Sequence, residues 1–213
     1  MADPDIESGL RDGLIALGES PGAAQLAQLA HYLRLLAKWN RAFNLTAVHD
    51  PADMVVRHVL DSVAVRPFLY GGSILDVGSG AGLPGIPLAI LAPGQQFVLL
   101  DSVGKKIRFL RHVLGELALN NCEVVQSRVE THAPEQPYDT VVCRAFSSMG
   151  DFVARCGRLV GHGGRLLAMK GRDPERELVA LPPGWHGRIT QLQVPGLDEQ
   201  RHAVVIERNG EAG

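Results

Sequence analysis

One run, Ile74-Leu75-Asp76-Val77-Gly78-Ser79-Gly80-Ala81-Gly82-Leu83-Pro84-Gly85, constrains the chain more than any other. Four residues of strand character lead straight into glycines at every second position. Lacking Cβ atoms, Gly78, Gly80 and Gly82 let the backbone turn sharply and approach a ligand closely. A helix starting after Leu83-Pro84 would aim its N-terminal amides at the same place. A strand, a glycine turn and a helix in that order predict an α/β sheet with its ligand crevice at the carboxyl ends of the strands.

The flanking sequence agrees. Strands are predicted at 74–77, 97–101, 123–127, 139–143 and 164–169, alternating with helices at 84–92, 104–119 and 149–160. That alternation gives a mainly parallel sheet covered on both faces. A short helix at 174–181 follows. Two further strands, 186–194 and 202–208, flank a Pro-Gly turn region and should pair antiparallel at one edge of the sheet. Upstream, Ser20 and Pro21 suit the start of a helix over 21–39, with Leu26, Leu29, Leu33 and Leu36 at helical spacing. After a loop at 40–50, Asp50-Pro51 opens a helix of about 51–65. Its core face carries Val55, Val59 and Val63, leaving Arg57, His58, Asp61 and Ser62 on other faces. Residues 1–8 and 209–213 read as loose ends. The expectation is one domain over 1–213, with a helical extension at 20–68 and the sheet core at 73–208.

Composition excludes several classes. At 46% hydrophobic and 21% charged, the chain reads as an ordinary soluble protein, and no run of 18 apolar residues suggests a membrane span. The start, Met-Ala-Asp-Pro-Asp-Ile-Glu-Ser, is acidic and does not resemble a signal peptide. Cys122, Cys143 and Cys156 form no Cys-x-x-Cys pair, which fits a reducing, cytoplasmic setting. A net charge of −2 argues against a general nucleic-acid coat. The charge is unevenly spread, however. Residues 104–176 hold 12 of the 21 Lys and Arg but only 8 of the 23 Asp and Glu. This is either ordinary scatter or a basic face for phosphates.

The glycine turn alone does not select a ligand. Gly80-Ala-Gly82-Leu-Pro-Gly85 satisfies the dinucleotide pattern, so NAD is admissible. Asp76 tilts the choice. An acid ahead of the first glycine suits the ammonium of S-adenosylmethionine and would repel a pyrophosphate. The reversed strand pair at the end of the chain points the same way. Asp101, ending the second strand, stands where an acid binds ribose hydroxyls, or caps the helix that follows. Ser127-Arg128-Val129-Glu130 follows the third strand, where backbone groups would meet an adenine edge. Arg144 follows the fourth, within reach of cofactor, substrate phosphate or base, or of a carboxylate at the strand end.

Methyl transfer from a sulfonium is an in-line displacement, and the main task is to hold donor and acceptor aligned. The Asn/Asp-Pro-Pro-aromatic motif of exocyclic-amine methylation is missing after strand four, where the chain reads Cys143-Arg144-Ala145-Phe146-Ser147-Ser148. Cys143 reads as a buried strand residue. An acceptor with a ready lone pair, such as guanine N7, fits this lack of a base without being selected by it. The eight histidines form no metal-ligand spacing, so no metal is expected, and His58 reads as a surface or capping residue rather than a base.

Several motifs occur in a fixed order. They are Trp39-Asn40 with Phe43-Asn44-Leu45-Thr46, Arg57-His58-x-x-Asp61-Ser62, the run from Asp76 through Gly85-Ile-Pro-Leu, Arg128-Val129-Glu130, and Arg144-Ala145-Phe146. Over about 20–208 the chain resembles the bacterial RsmG (GidB) family of small-subunit rRNA methyltransferases. The resemblance implies a Rossmann-like, seven-stranded S-adenosylmethionine-dependent fold with N-terminal helices. It implies methylation of N7 of guanine 527, in the 530 loop of 16S rRNA, within the 30S subunit or an assembly intermediate. Cofactor contacts carried over fall on Gly78, Leu83, Val129, Glu130 and Arg144, to which the residues themselves add Asp76, Gly80, Gly82 and Asp101. Arg144 is a candidate for orienting the reactants. RNA contacts are expected at Arg57, His58 and Lys170, the last in a Lys170-Gly171 pair shared with the family. A monomer is expected, because no apolar stripe is left unassigned.

Overall fold

The computed structural model describes residues 4–144, 146, 148–171 and 174–210. Ala145 and Ser147, quoted above in the stretch after strand four, lie outside the described residues, as do 211–213 of the expected C-terminal end.

The chain opens with α1 (Pro4–Ala16) and α2 (Ala23–Phe43). Next, α3 (Pro51–Met54) runs through a π-helical turn, Val55–Leu60, into α4 (Asp61–Val63). The sheet region follows: β1 (Ser73–Val77), α5 (Gly85–Leu91), β2 (Gln96–Asp101), α6 (Gly104–Leu117), β3 (Cys122–Gln126), β4 (Tyr138–Cys143) and α7 (Met149–Cys156). It closes with β5 (Val160–Lys170), α8 (Glu175–Leu178), β6 (Trp185–Leu192) and β7 (Arg201–Arg208). The seven strands lie in the order β3-β2-β1-β4-β5-β7-β6. Strands β1 to β5 pair in parallel, and β7 pairs antiparallel with both β5 and β6. The strand order reverses between β1 and β4, which places a ligand crevice there.

Alternation along β1 sorts the two faces. Leu75 and Val77 pack with α7 residues such as Phe152 and Val153. Ile74 joins Leu88 and Ala89 of α5 on the other face. Beyond α5 and α6 lies an outer layer, in which Leu10, Leu14, Leu29, Leu33 and Leu36 of α1 and α2 share one core with Ile107, Leu110 and Val113 of α6. Polar ties fasten this layer: Gln25 Nε2 donates to the Ile90 carbonyl and Gln28 Nε2 to the Leu117 carbonyl, both at 2.9 Å.

Three expectations are corrected. Residues 4–8, read as part of a loose end, belong to α1, whose Ile6, Leu10 and Leu14 are buried. Gly9 and Gly13 weaken the helical signal there, but Gly13 is needed because a Cβ would collide with the Leu60 side chain. The helix expected from Ser20-Pro21 starts instead at Ala23, where Gln25 Oε1 accepts from the Gly22 amide at 2.9 Å. The helix after Asp50 does have the expected cap, Asp50 Oδ1 accepting from Ala52 and Asp53. It is not one-sided, however. Val55, His58, Val59, Leu60, Asp61, Ser62 and Val63 are all buried, since a widened π turn alters the spacing of faces and both α1 and α5 pack on the segment.

Candidate active site

Two clefts open at the carboxyl end of the sheet, one on each side of the β1–β4 reversal. The first, about 410 Å³, is walled by the ends of β1, β2 and β3: Val77 and Gly78, Leu100 and Asp101, and Ser127 through Glu130. Lys106 of α6 and Arg155 of α7 complete it. Gly78, Gly80 and Gly82 all have positive φ, at 71°, 60° and 90°, so the turn requires glycine at each. Their roles differ. A Cβ on Gly78 would meet open space, leaving its backbone free to face a ligand. At Gly82 a Cβ would strike Ile86, so this glycine serves packing. The amide of Gly80 donates to Asp101 Oδ2 at 3.0 Å. Leu83 is buried behind the turn, its amide bonded to the Ser79 carbonyl at 2.9 Å.

Asp101 fulfils the capping expectation in part, its Oδ1 accepting from the Val103 amide at 2.9 Å just ahead of α6. Oδ2 also faces Lys106 Nζ at 3.3 Å. The carboxylate thus locks the glycine turn to the start of α6 while lining the cleft. Across it, Val129 is buried and Glu130 is exposed, with Oε1 2.6 Å from Arg155 Nη1.

Asp76 lies beneath the turn and is fully buried. Its Oδ2 accepts from the Gly85 amide at 3.0 Å, and a Cβ at Gly85 would come within 2.7 Å of that oxygen. Its Oδ1 has no hydrogen-bond partner among the described residues. Burial pushes the carboxyl up to about 7, against the pull of the Gly85 amide, Ser79 and the more distant Arg144. A buried oxygen with an unused lone pair beside a glycine turn is a ready acceptor for a ligand's ammonium. The residues therefore fit the aminocarboxylate end and ribose of S-adenosylmethionine.

The second cleft, about 190 Å³, is lined by Asp61, Arg144, Met169, Lys170, Gly171 and Arg201, from α4 and the ends of β4, β5 and β7. Asp61 is buried between two guanidiniums: Arg201 Nε donates to Oδ1 at 3.1 Å, and Arg144 Nη2 is 3.7 Å from Oδ2. Burial raises the Asp61 carboxyl, and the two arginines pull the other way. Arg144 Nη1 is buried without a partner among the described residues. The structure therefore places Arg144 in the second cleft, apart from the wall of the first.

The three expected RNA contacts are placed differently. Arg57 is exposed and paired with Glu199 at 2.8 Å. His58, read as a surface or capping residue, is buried, with Nε2 2.9 Å from Thr46 Oγ1. Burial, helped by the nearby Arg144, lowers it to about 4, so the ring is neutral in the fold. Lys170 is not at a solvated strand end; its side chain is 11% exposed, with Nζ donating to the Phe146 carbonyl at 3.0 Å and to Glu177 Oε2 at 2.9 Å.

Four contributors escaped the sequence reading. Tyr32 of α2 donates its buried hydroxyl to the Ala81 carbonyl at 2.8 Å, fastening the glycine turn from the outer layer. Arg158 Nη2 donates to the carbonyls of Val129, Glu130 and His132, holding the turn that forms one cleft wall. Arg155 and Arg201 complete the two clefts. All four act across long sequence separations, and no local pattern marks them.

Comparisons follow the same lines. A family model described as GidB, rRNA small subunit methyltransferase G, matches residues 25–204. A protein of Shigella flexneri named ribosomal RNA small subunit methyltransferase G is 51% identical over 201 residues, covering 94% of this chain and 95% of its own. Its namesake in Escherichia coli O17:K52:H18 is 50% identical over 205 residues, covering 96% and 97%. Among solved structures, the O-methyltransferase TomG of Streptomyces achromogenes, in complex with SAM, superposes with a TM-score of 0.57 at 15% identity, covering 84% of this chain and 90% of that one. That last likeness is one of fold.

Proposed function

The chain belongs to the GidB family, rRNA small subunit methyltransferase G, and from that premise we propose that it methylates N7 of guanine 527, in the 530 loop of 16S rRNA, with S-adenosylmethionine as donor. The observation that carries the acceptor assignment is the second cleft. Its one carboxylate, Asp61, is held between two arginines, and Lys170 is tied to Glu177. Among the described residues that line it, none is free to remove a proton. Guanine N7 needs no such step, because its lone pair is available as it stands.

The bound cofactor supplies an electrophilic methyl group on a sulfonium. The residues of this chain bind and align. Asp76 Oδ1 accepts from the methionine ammonium, directly or through a water. Asp101 meets the ribose hydroxyls, exchanging some of its present bonds for them. Gly78 gives the ligand room, and Val129 and Glu130 border the adenine. Gly80, Gly82 and Leu83 act by shaping the turn. In the second cleft, Arg144 and Arg201 donate to O6 and phosphate oxygens. Donation to O6 and not N7 keeps the attacking lone pair free. Arg144 also orients the reactants, its buried Nη1 being available for a new acceptor. Arg57 lies outside the cleft lining and Lys170 within it, and contact with RNA requires each to exchange its carboxylate partner for phosphate.

The reading extends to setting. The chain acts as one domain and as a monomer in the cytoplasm, on the 30S subunit or an assembly intermediate. Among the described residues no helix is long and apolar enough to cross a membrane. The test is to offer labelled cofactor and 30S subunits lacking this methyl group, then map the label by mass spectrometry. A single 7-methylguanine at position 527 is expected. Label elsewhere, or none on small-subunit RNA, overturns the reading.

A further inference from the structure

Helices α2 and α6 carry a charge pattern of which the clefts use only Lys106. Helix α2 contains no acidic residue in Ala23–Phe43, yet has Arg34, Lys38 and Arg41 exposed at spacings of four and three. Helix α6 holds Lys105, Lys106, Arg108 and Arg111 against one acid, Glu116, near its C-terminus. The helices pack side by side in opposite directions. Lys105 Nζ donates to the Phe43 carbonyl at 2.7 Å at one end, and Gln28 meets the Leu117 carbonyl at the other. Between them Trp39 packs against Phe109 and His112, with ring centroids 5.6 and 5.3 Å apart.

Several cations elsewhere are matched. Arg57, Arg66, Arg155, Arg165, Lys170 and Arg201 each face a carboxylate. Among the described residues no ion pair involves Arg34, Lys38, Arg41, Arg108 or Arg111, all of them exposed. Five unneutralised charges on a rigid pair of helices, in a chain of net charge −2, form a local field that self-repulsion disfavours unless a polyanion meets it.

We propose that the solvent face of α2 and α6 is a docking surface for the phosphate backbone of the substrate RNA, separate from both clefts. This rests on the reading above that the substrate is ribosomal RNA. Four of the five charges are guanidiniums, suited to phosphate. Helix α6 is about 20 Å long, enough to track several phosphates. It begins directly after Val103 and carries Lys106, both lining the first cleft, so a strand held on this face runs toward the reacting end of the molecule.

The test replaces all five by Gln (Arg34→Gln, Lys38→Gln, Arg41→Gln, Arg108→Gln, Arg111→Gln) beside a control on other surfaces, Arg11→Gln with Arg188→Gln. Affinity is read on protein-free 16S rRNA and on 30S subunits over a range of salt, together with adenosylhomocysteine affinity and methyl transfer. The fivefold variant should bind both RNAs at least tenfold more weakly, and its slope of log affinity against log salt should flatten by about 4. Its adenosylhomocysteine affinity and its kcat on saturating 30S should match the wild type, while KM rises. Unchanged RNA affinity and slope overturn the proposal. So does an equal loss per charge in the control, which would mean net charge alone. Weakened 30S binding with full binding to protein-free rRNA also overturns it, in favour of an acidic protein. A wild type that binds rRNA through these residues but methylates none of it would sink the functional reading and leave the surface standing.

Discussion

Asp76 illustrates how a buried residue serves function against stability. Its carboxyl, raised to about 7, is largely protonated in the cofactor-free fold at acidic pH and must ionise to hold an ammonium. The folded state then binds more protons than the unfolded one between about pH 4 and 7, so this group's contribution to stability falls as pH rises through that window, by about 4 kcal/mol in all. His58 runs the opposite way. Its folded value near 4 lies below the ordinary 6.5, so its contribution is lost as pH falls from 6.5 to 4, by about 3 kcal/mol. The two oppose each other in the wild type. In Asp76→Asn the histidine is left uncompensated, and urea unfolding should show stability dropping from pH 6.5 to 4 by about 3 kcal/mol more than in the wild type; a profile parallel to the wild type's would refute this. Calorimetry with adenosylhomocysteine gives a second check. Wild-type affinity should weaken as pH falls below about 7, by up to tenfold per unit. Asp76→Asn should bind roughly 10- to 100-fold more weakly at pH 8, the worth of one charged hydrogen bond, and lose that pH dependence. The place of Asp76 beside the glycine turn was legible in the sequence, because an acid before a glycine run has a local chemical meaning. The burial of His58 was not, because a π turn shifts which side chains face inward and leaves no mark in residue spacing.

At the scale of elements, the glycine turn was legible and its supports were not. Each strand of the parallel sheet shows up as a short apolar run, and Asp50 announced its helix by cap chemistry that involves only its next three residues. Helix α1 went unread because its two glycines obscure a periodicity that tertiary packing against Leu60 rewards. Tyr32 reaches the turn from 49 residues away. Tyr32→Phe keeps the ring and leaves the buried Ala81 carbonyl unpaired. It should cost about 1–3 kcal/mol of stability by urea unfolding. It should also weaken adenosylhomocysteine binding, since the turn loses its outer tether. Unaltered stability and binding would show that the tether is idle.

For the whole molecule, the strand order separates two clefts, proposed above to hold donor and acceptor. The β1–β3 half builds the larger, carboxylate-lined cleft, and the β4, β5 and β7 ends build the smaller cationic one. The parallel sheet with its crevice at the carboxyl ends was predictable from chain grammar, but the second cleft was not, because Asp61 and Arg201 are 140 residues apart and meet only in the fold. The shared core of α1, α2 and α6 predicts that extension and sheet unfold together. Trp39 reports from α2 and Trp185 from β6, so single-tryptophan variants should give coincident urea transitions; separated midpoints would make the N-terminal helices an independent unit. The division of labour between clefts is tested most directly with Arg201→Gln, by measuring adenosylhomocysteine affinity and, at saturating cofactor, the rate of methyl transfer to 30S subunits. The account predicts affinity within twofold of wild type and a rate reduced at least tenfold. A weakened affinity with a wild-type rate at saturation would contradict it.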